Sequence, residues 1–292
     1  MKFVLIGAGK VGTSLSTALV SRGWKCAAVV HTHSRGDPDS KVKRLLASNV
    51  IPLASLRDFD YDVIIISVKD DFIQNVVQRL TEDPAINWKG KCVLHTSGTL
   101  GLDSFSAIEK KDGAVGSLHP LASFPDKYQA ARAFGIYYDF LGTPSAVRVA
   151  RAIAKLLNSK IIILKSPEQK VFLHIASVFA SNFVTISLLE AEKIMLEKCG
   201  IAESKDVLSP LVLSSIENFL RFNGAHSLTG PLVRGDGDVI KSHMKLLENE
   251  PVILQLYKSA SRVGIELLAK DDLFRNNKRS ITKLRKLLEE FS

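Results

Sequence analysis

Gly7-Ala8-Gly9-Lys10-Val11-Gly12 is a G-x-G-x-x-G run set between an apolar stretch, Phe3 to Ile6, and an amphipathic one, Val11 to Arg22. Such a spacing is weak by itself. Between a strand and a helix, at the start of an α/β pattern, it is the spacing that binds a dinucleotide. Gly7 permits the tight turn, Gly9 lets backbone approach a pyrophosphate, and Gly12 lets helix and strand pack closely. Free N–H groups at the helix start then face the phosphates. A glycine-rich turn that binds nothing is the bland alternative.

The next apolar run ends near Val30, and no Asp or Glu follows before Asp37. An NAD site places an acidic residue at this strand end, on the ribose hydroxyls. Ser34 and Arg35 suit a 2′-phosphate instead, the arginine by its charge and planar donors. The expectation is NADP, with NAD possible; a solvated polar loop competes with it.

Three later apolar runs end in polar groups: Ser67-Val68-Lys69-Asp70, His95-Thr96-Ser97-Gly98 and Ser117-Leu118-His119-Pro120. In a parallel sheet the carboxyl ends share one edge, and ligands bind just outside it. Ser67 and Val68 are placed with the cofactor, and Ser97 and His119 with the substrate. A histidine here is as readily a hydrogen-bonded structural residue as a proton carrier. Farther on, His174, Val178, Ser181 and Asn182 share one helix face by the i, i+4, i+7, i+8 rule. His174 or His119 is nominated as acid/base, and Ser97 and Asn182 as orienting groups. Arg234, in Thr229-Gly230-Pro231-Leu232-Val233-Arg234-Gly235-Asp236, is nominated as an anchor for a substrate carboxylate or phosphate; a plain surface arginine is its alternative.

These residues need a scaffold. Lys2–Ile6, Ala27–Val30, Val63–Ser67, Cys92–His95, Ala114–Ser117, Gly135–Tyr138 and Lys160–Leu164 read as strands. Helical patterns lie between several of them: Val11–Arg22, Ser40–Ser48, Asp71–Leu80, and a run to about Leu157 capped by Thr143-Pro144. Alternation of this kind predicts an α/β fold with a Rossmann-type, doubly wound parallel sheet. At Ser166 the character changes. Ser166-Pro167-Glu168-Gln169 combines an N-cap, a first-turn proline and a capping-box glutamine. A long helix to about Lys198 follows, then helices over about 203–222, 235–249, 251–269 and 278–291. The predicted division is a dinucleotide-binding domain over 1–165 and an all-α substrate and dimerisation domain over 166–292.

Composition narrows the class. Hydrophobic residues form 46% and charged residues 24% of the 292, which supports a globular core. The net charge of +9 is spread along the chain. Its densest stretch, Arg275 to Lys286, is interleaved with Ile281, Leu284 and Leu288 at helical spacing, as on a solvated amphipathic helix. Nucleic acid is therefore not expected as a partner. Cys26, Cys92 and Cys199 have no paired spacing, so neither a disulfide framework nor a metal site is expected, and buried free thiols are. No stretch is read as approaching the roughly 20 apolar residues of a membrane span, and the N-terminus does not read as an export signal. A cytoplasmic location and no membrane partner are expected.

Gly7–Gly12, His95-Thr96-Ser97-Gly98, Gly116-Ser117-Leu118-His119-Pro120-Leu121, His174 to Asn182, and Leu228-Thr229-Gly230-Pro231 with Arg234-Gly235-Asp236 resemble a bacterial family classed as oxidoreductases without an agreed reaction. Its members join a Rossmann-like domain to a helical domain of unknown function. More distantly, the layout is similar to pyrroline-5-carboxylate reductase, to the NADP oxidoreductases that use coenzyme F420, and to the 6-phosphogluconate dehydrogenase group. The resemblance implies a nicotinamide cofactor and often a dimer. That last group carries a catalytic lysine one helical turn before an asparagine. Here Asn182 is present but Val178 stands one turn before it, so the lysine mechanism does not transfer. The expected function is hydride transfer between NADP and a small polar substrate in a cleft between domains, in a homodimer formed through the helical domain. The competing readings are a non-catalytic NADP sensor and a helical interaction module on a Rossmann-like fold.

Overall fold

A computed structural model describes residues 1–31, 40–271 and 278–290. Two compact units result, Met1–Ser187 and Leu188–Ser292.

The first unit is built on eight strands: β1 (Lys2–Ile6), β2 (Lys25–His31), β3 (Asn49–Pro52), β4 (Val63–Ile66), β5 (Cys92–His95), β6 (Ala114–Pro120), β7 (Tyr137–Gly142) and β8 (Lys160–Ile163). They form one sheet in the order β3-β2-β1-β4-β5-β6-β7-β8. Every pairing is parallel except β6 with β7, the one departure from the expected parallel sheet. Side chains alternate across a strand, and both faces here are apolar. Phe3, Leu5, Val63 and Ile65 enter one core, with Leu15 and Leu19 of α1 (Lys10–Ser21). Val4, Ile6, Ile64 and Ile66 enter the other, with Ile73, Val76, Val77 and Leu80 of α3 (Asp70–Glu82), which follows α2 (Ser40–Leu46). That double burial explains why Val63 to Ile66 shows no polar alternation. The short helix α4 (Ser106–Glu109) and then α5 (Pro144–Leu156) complete the layers. Thr143 caps α5 by accepting from the Ala146 N–H, as its sequence requires. The sequence reading missed β3, a four-residue edge strand holding Asn49 and Pro52, and stopped β6 and β7 short, because their antiparallel pairing extends both.

Ser166 caps α6 (Pro167–Val178) through the Gln169 N–H at 3.3 Å. Gln169 reaches back to the N–H of Lys165, one residue before the position a capping box uses. A π turn (Phe179–Phe183) joins α6 to α7 (Val184–Cys199), and the boundary between the two units falls within α7. Contrary to the sequence reading, Pro167–Cys199 is long and apolar enough, by length and composition, to cross a membrane. Its hydroxyls mask their polarity by bonding to their own helix: Ser177 donates to the Leu173 carbonyl, Thr185 to Ser181 and Ser187 to Phe183. Phe172 is 71% exposed, and Ile175, Phe179, Phe183 and Ile186 are exposed as well.

In the second unit, Gly200 ends α7 with φ +69°. Then come α8 (Ser204–Arg221), α9 (Pro231–Arg234), α10 (Gly237–Leu246), α11 (Pro251–Lys270) and α12 (Lys278–Glu290). No strand follows Ile163 among the described residues. Ile240, Met244, Ile265, Ile281, Leu284 and Leu288 form the core here, and Arg279, Lys283, Arg285 and Lys286 lie on the solvated side of α12, as expected of an amphipathic helix; Arg275 and the Lys278 side chain lie outside the described residues. On α8, Leu211, Leu213, Phe219 and Leu220 stand exposed. Of the three thiols, Cys26 and Cys92 are buried but Cys199 is exposed, which corrects the expectation for that residue. Burial pushes the Cys26 thiol up to about 11 and the Cys92 thiol to about 12.

Candidate functional site

Strand order reverses between β1 and β4, because β2 and β3 lie to one side of β1 and β4 to β8 to the other. Such a reversal opens a crevice at the carboxyl ends of the strands. Gly7, with φ +96°, sits in it against the backbone of Ser67, where a Cβ would lie 2.7 Å from the Ser67 carbonyl carbon. Gly12 packs as closely: its Cβ would meet the Gly7 carbonyl oxygen at 2.5 Å. Gly9 caps α1 without a side-chain hydrogen bond, and no acidic residue lies in the first turn. The leading N–H groups of α1 therefore point, unneutralised, out of a loop whose backbone is bare, as a diphosphate requires. Ser34 and Arg35 lie outside the described residues.

A cleft of about 620 Å³ runs from this loop along the strand ends. Gly7, Ala8, Gly9, Lys10, Val11, Ser67 and Val68 line it, and so do Ser97, His119 and His174. The glycine loop and both nominated histidines thus share one cavity. The rings of His119 and His174 meet edge-on, their centroids 5.7 Å apart. Gly98 makes room for them: a Cβ there would fall 2.5 Å from His174 Nδ1 and 3.1 Å from His119 Cε1.

Behind the pair lies a group that the sequence reading missed. Asp139 of β7 stands in register with His119 of β6. One carboxylate oxygen is 2.7 Å from His119 Nδ1, and the other accepts from Lys170 Nζ at 2.7 Å. Lys170 and Asp139 are 0% and 1% exposed, so this pair is fully withdrawn from water. Burial drives the Lys170 ammonium below its ordinary range, while the Asp139 charge and hydrogen bond oppose the drop. Burial, then the neighbouring His119, holds His174 below the ordinary histidine range; its Nδ1 is buried without a partner.

Three other nominated residues fare differently. Ser97 builds the loop that carries it. Its hydroxyl donates to Asp70 at 2.7 Å and accepts from the Thr99 and Leu100 N–H groups, which commits its one proton and its lone pairs. Asn182 sits in the π turn, exposed, and takes the Ser181 hydroxyl on its Oδ1. It is not among the residues lining the cleft, and the π turn interrupts the α-helical register between it and His174. Arg234 belongs to the second unit, is exposed, and pairs with Asp236 at 2.7 Å. His95 is a structural histidine: it stacks on Phe105, bonds the Gly101 carbonyl, and is lowered to about 4 chiefly by burial, so it is uncharged at neutral pH.

Residues 1–120 match the family model of a Rossmann-like domain, and residues 136–263 match that of a domain of unknown function, DUF2520. The two matches lie in tandem along the chain, and neither covers half of it. No curated protein sequence matches it. Among solved structures it is similar to the "putative NADP oxidoreductase" of Bacteroides fragilis (23% identity, 90% of this chain and 96% of that one, TM-score 0.71). It is also similar to a Thermotoga maritima protein (22%, 91% and 97%, TM-score 0.66). A third is an imine reductase of Myxococcus stipitatus, solved with NADP+ (16%, 91% and 93%, TM-score 0.61). At these identities the likeness establishes the fold, a Rossmann-like domain followed by helices. His119 comes from the Rossmann-like match; Asp139, Lys170 and His174 come from the DUF2520 match. The bond from His119 to Asp139 ties the two matched segments together inside the first unit.

Proposed function

We propose that this protein is a cytoplasmic, homodimeric oxidoreductase that exchanges hydride between NADP and a small polar substrate. One observation carries the reading: a single cleft is lined both by the glycine loop and by the His119–His174 pair. A bound nicotinamide supplies or takes the hydride. The glycine loop and the start of α1 hold the diphosphate. His119, oriented through Nδ1 by Asp139, carries the proton at Nε2, the work a histidine does near neutral pH. The cofactor named for two of the structural neighbours supports the choice of NADP. Calorimetry is expected to show NADPH bound more tightly than NADH, and Arg35→Ala to erase that preference while NADH binding persists. Equal affinities in the unaltered protein remove the NADP assignment; no binding of either nucleotide removes the oxidoreductase reading.

The exposed apolar residues on α6 and the π turn, and separately those on α8, support the dimer, since exposed apolar side chains gathered on a helix ordinarily mark an interface. Light scattering on the soluble fraction is expected to give twice the 32.0 kDa chain mass at micromolar concentration. A monomer there rules the dimer out, and recovery only with membranes rules out the cytoplasmic assignment.

A further inference from the structure

Lys170 is a fully buried ammonium behind the cleft, a position that is costly for a charge. Replacing a buried ion pair with apolar groups of similar volume is often neutral or stabilising, whereas removing one partner strands a charge. The pair therefore calls for an explanation in what it does to the third member, His119. Asp139 turns one oxygen to Lys170 and the other to His119 Nδ1. A carboxylate accepts only, so the proton of an uncharged His119 belongs on Nδ1, and Nε2 keeps its lone pair. The ammonium on the far oxygen offsets the pull of the carboxylate toward a doubly protonated ring.

His174 stands one helical turn after Lys170 on α6, with its Nδ1 covered by Gly98 and bonded to none of the described residues. An orphaned N–H is rarer in proteins than an under-used acceptor, so the proton of His174 belongs on Nε2. The other charged and titratable groups around the pair are Asp70 at the start of α3, Lys10 and Lys69 on the cleft wall, and the buried His95.

We propose that Lys170 is a positioning residue: by fixing Asp139 and offsetting its charge, it keeps His119 an uncharged Nδ1–H ring, so that the cleft offers a proton-accepting nitrogen beside the proton-donating Nε2 of His174. A hydroxyl on the carbon that gives up hydride satisfies both at once, donating to His119 and accepting from His174. A neutral amine has a single lone pair, which must form the C=N bond as hydride leaves and so cannot also accept from His174, whereas a hydroxyl oxygen has two. The substrate class is therefore a neutral alcohol and its carbonyl product. In the oxidation the C–H bond breaks and its electron pair leaves with the hydrogen to an oxidised nicotinamide. The O–H proton passes to His119 Nε2, and the C=O bond forms. This assignment of substrate rests on the oxidoreductase reading; the tautomers do not.

Nitrogen-15 NMR of the nucleotide-free protein at pH 7 tests the tautomers directly. His119 is expected to be protonated on Nδ1 and bare on Nε2, and His174 the reverse; a predominantly Nε2–H or doubly protonated His119 overturns the proposal. Lys170→Gln keeps a hydrogen-bond donor to Asp139 and removes the charge. In that variant the nitrogen-15 signals of His119 at the same pH are expected to depart from the Nδ1–H pattern of the unaltered protein. Unchanged signals in a folded variant sink the role of Lys170, and if the variant does not fold, the unaltered protein's tautomers decide. With NADP+ supplied, a panel of alcohols and amines is expected to give turnover only with alcohols; turnover confined to amines overturns the substrate class. Failure to bind NADPH at all would remove the oxidoreductase reading and leave the NMR result standing.

Discussion

His119→Asn is expected to lower turnover by about 10²–10⁴, the usual worth of a positioned general acid or base, and to leave NADPH affinity unchanged. Asparagine offers an amide N–H toward Asp139, so the buried carboxylate keeps a neighbour and the Lys170 pair stays intact. What is lost is the nitrogen proposed to carry the proton. The glycine loop, proposed to hold the diphosphate, is untouched. A fall in nucleotide affinity as large as the fall in turnover would mean that His119 shapes the cleft and does not serve the reaction. A fall of less than about ten-fold, a barrier change of only about 1.4 kcal/mol, would release His119 from the proton role. The same substitution at His174 removes a donor and not the proton carrier. A large loss there with little loss at His119 would exchange the two assignments.

The fold was legible because its elements are strongly patterned. Phe3 to Ile6 and Val63 to Ile66 are apolar on both faces, which identifies central strands, and Thr143-Pro144 and Ser166-Pro167 mark helix starts that the structure keeps. The glycine loop was legible because spacing and context coincide. His119 and His174 were named from residue type at a strand end and on a helix face. The Asp139–Lys170 group behind them was not found. Asp139 lies in Tyr137-Tyr138-Asp139-Phe140, a strand read as ending at Tyr138, and only the antiparallel register of β6 with β7 brings it to His119. Lys170 reads as one more charge in the solvated first turn of a helix; burial shows otherwise. A usable signal was present, since Lys170 and His174 are four residues apart and so share a helix face. Asn182 was named on the periodicity of an unbroken α-helix, and the π turn interrupts that periodicity at this point.

Gly9→Ala is expected to fold with the stability of the unaltered protein and to bind NADPH at least about ten-fold more weakly, by calorimetry. The backbone of Gly9 is extended, at φ −78° and ψ −167°, which alanine adopts without strain. Among the described residues a Cβ there meets only the Ser67 carbonyl oxygen, at 3.7 Å, an ordinary contact. The described residues therefore leave room for the methyl group, which would displace a ligand resting on the loop. Gly12→Ala provides the contrast. Its Cβ would lie 2.5 Å from the Gly7 carbonyl oxygen and 2.8 Å from Ser67 Cβ, so α1 must shift from the strand ends whether or not a ligand is present. That variant is expected to lose about 1–3 kcal/mol of stability, the usual cost of overpacking, together with nucleotide binding. The pair separates two explanations of the glycine run. If Gly9→Ala binds NADPH as well as the unaltered protein does, the bare backbone at Gly9 serves the turn alone, and the diphosphate does not lie on this loop. If it destabilises the fold as much as Gly12→Ala, the glycines are packing residues throughout. Unchanged melting with lost binding is the outcome that places a dinucleotide against Gly9.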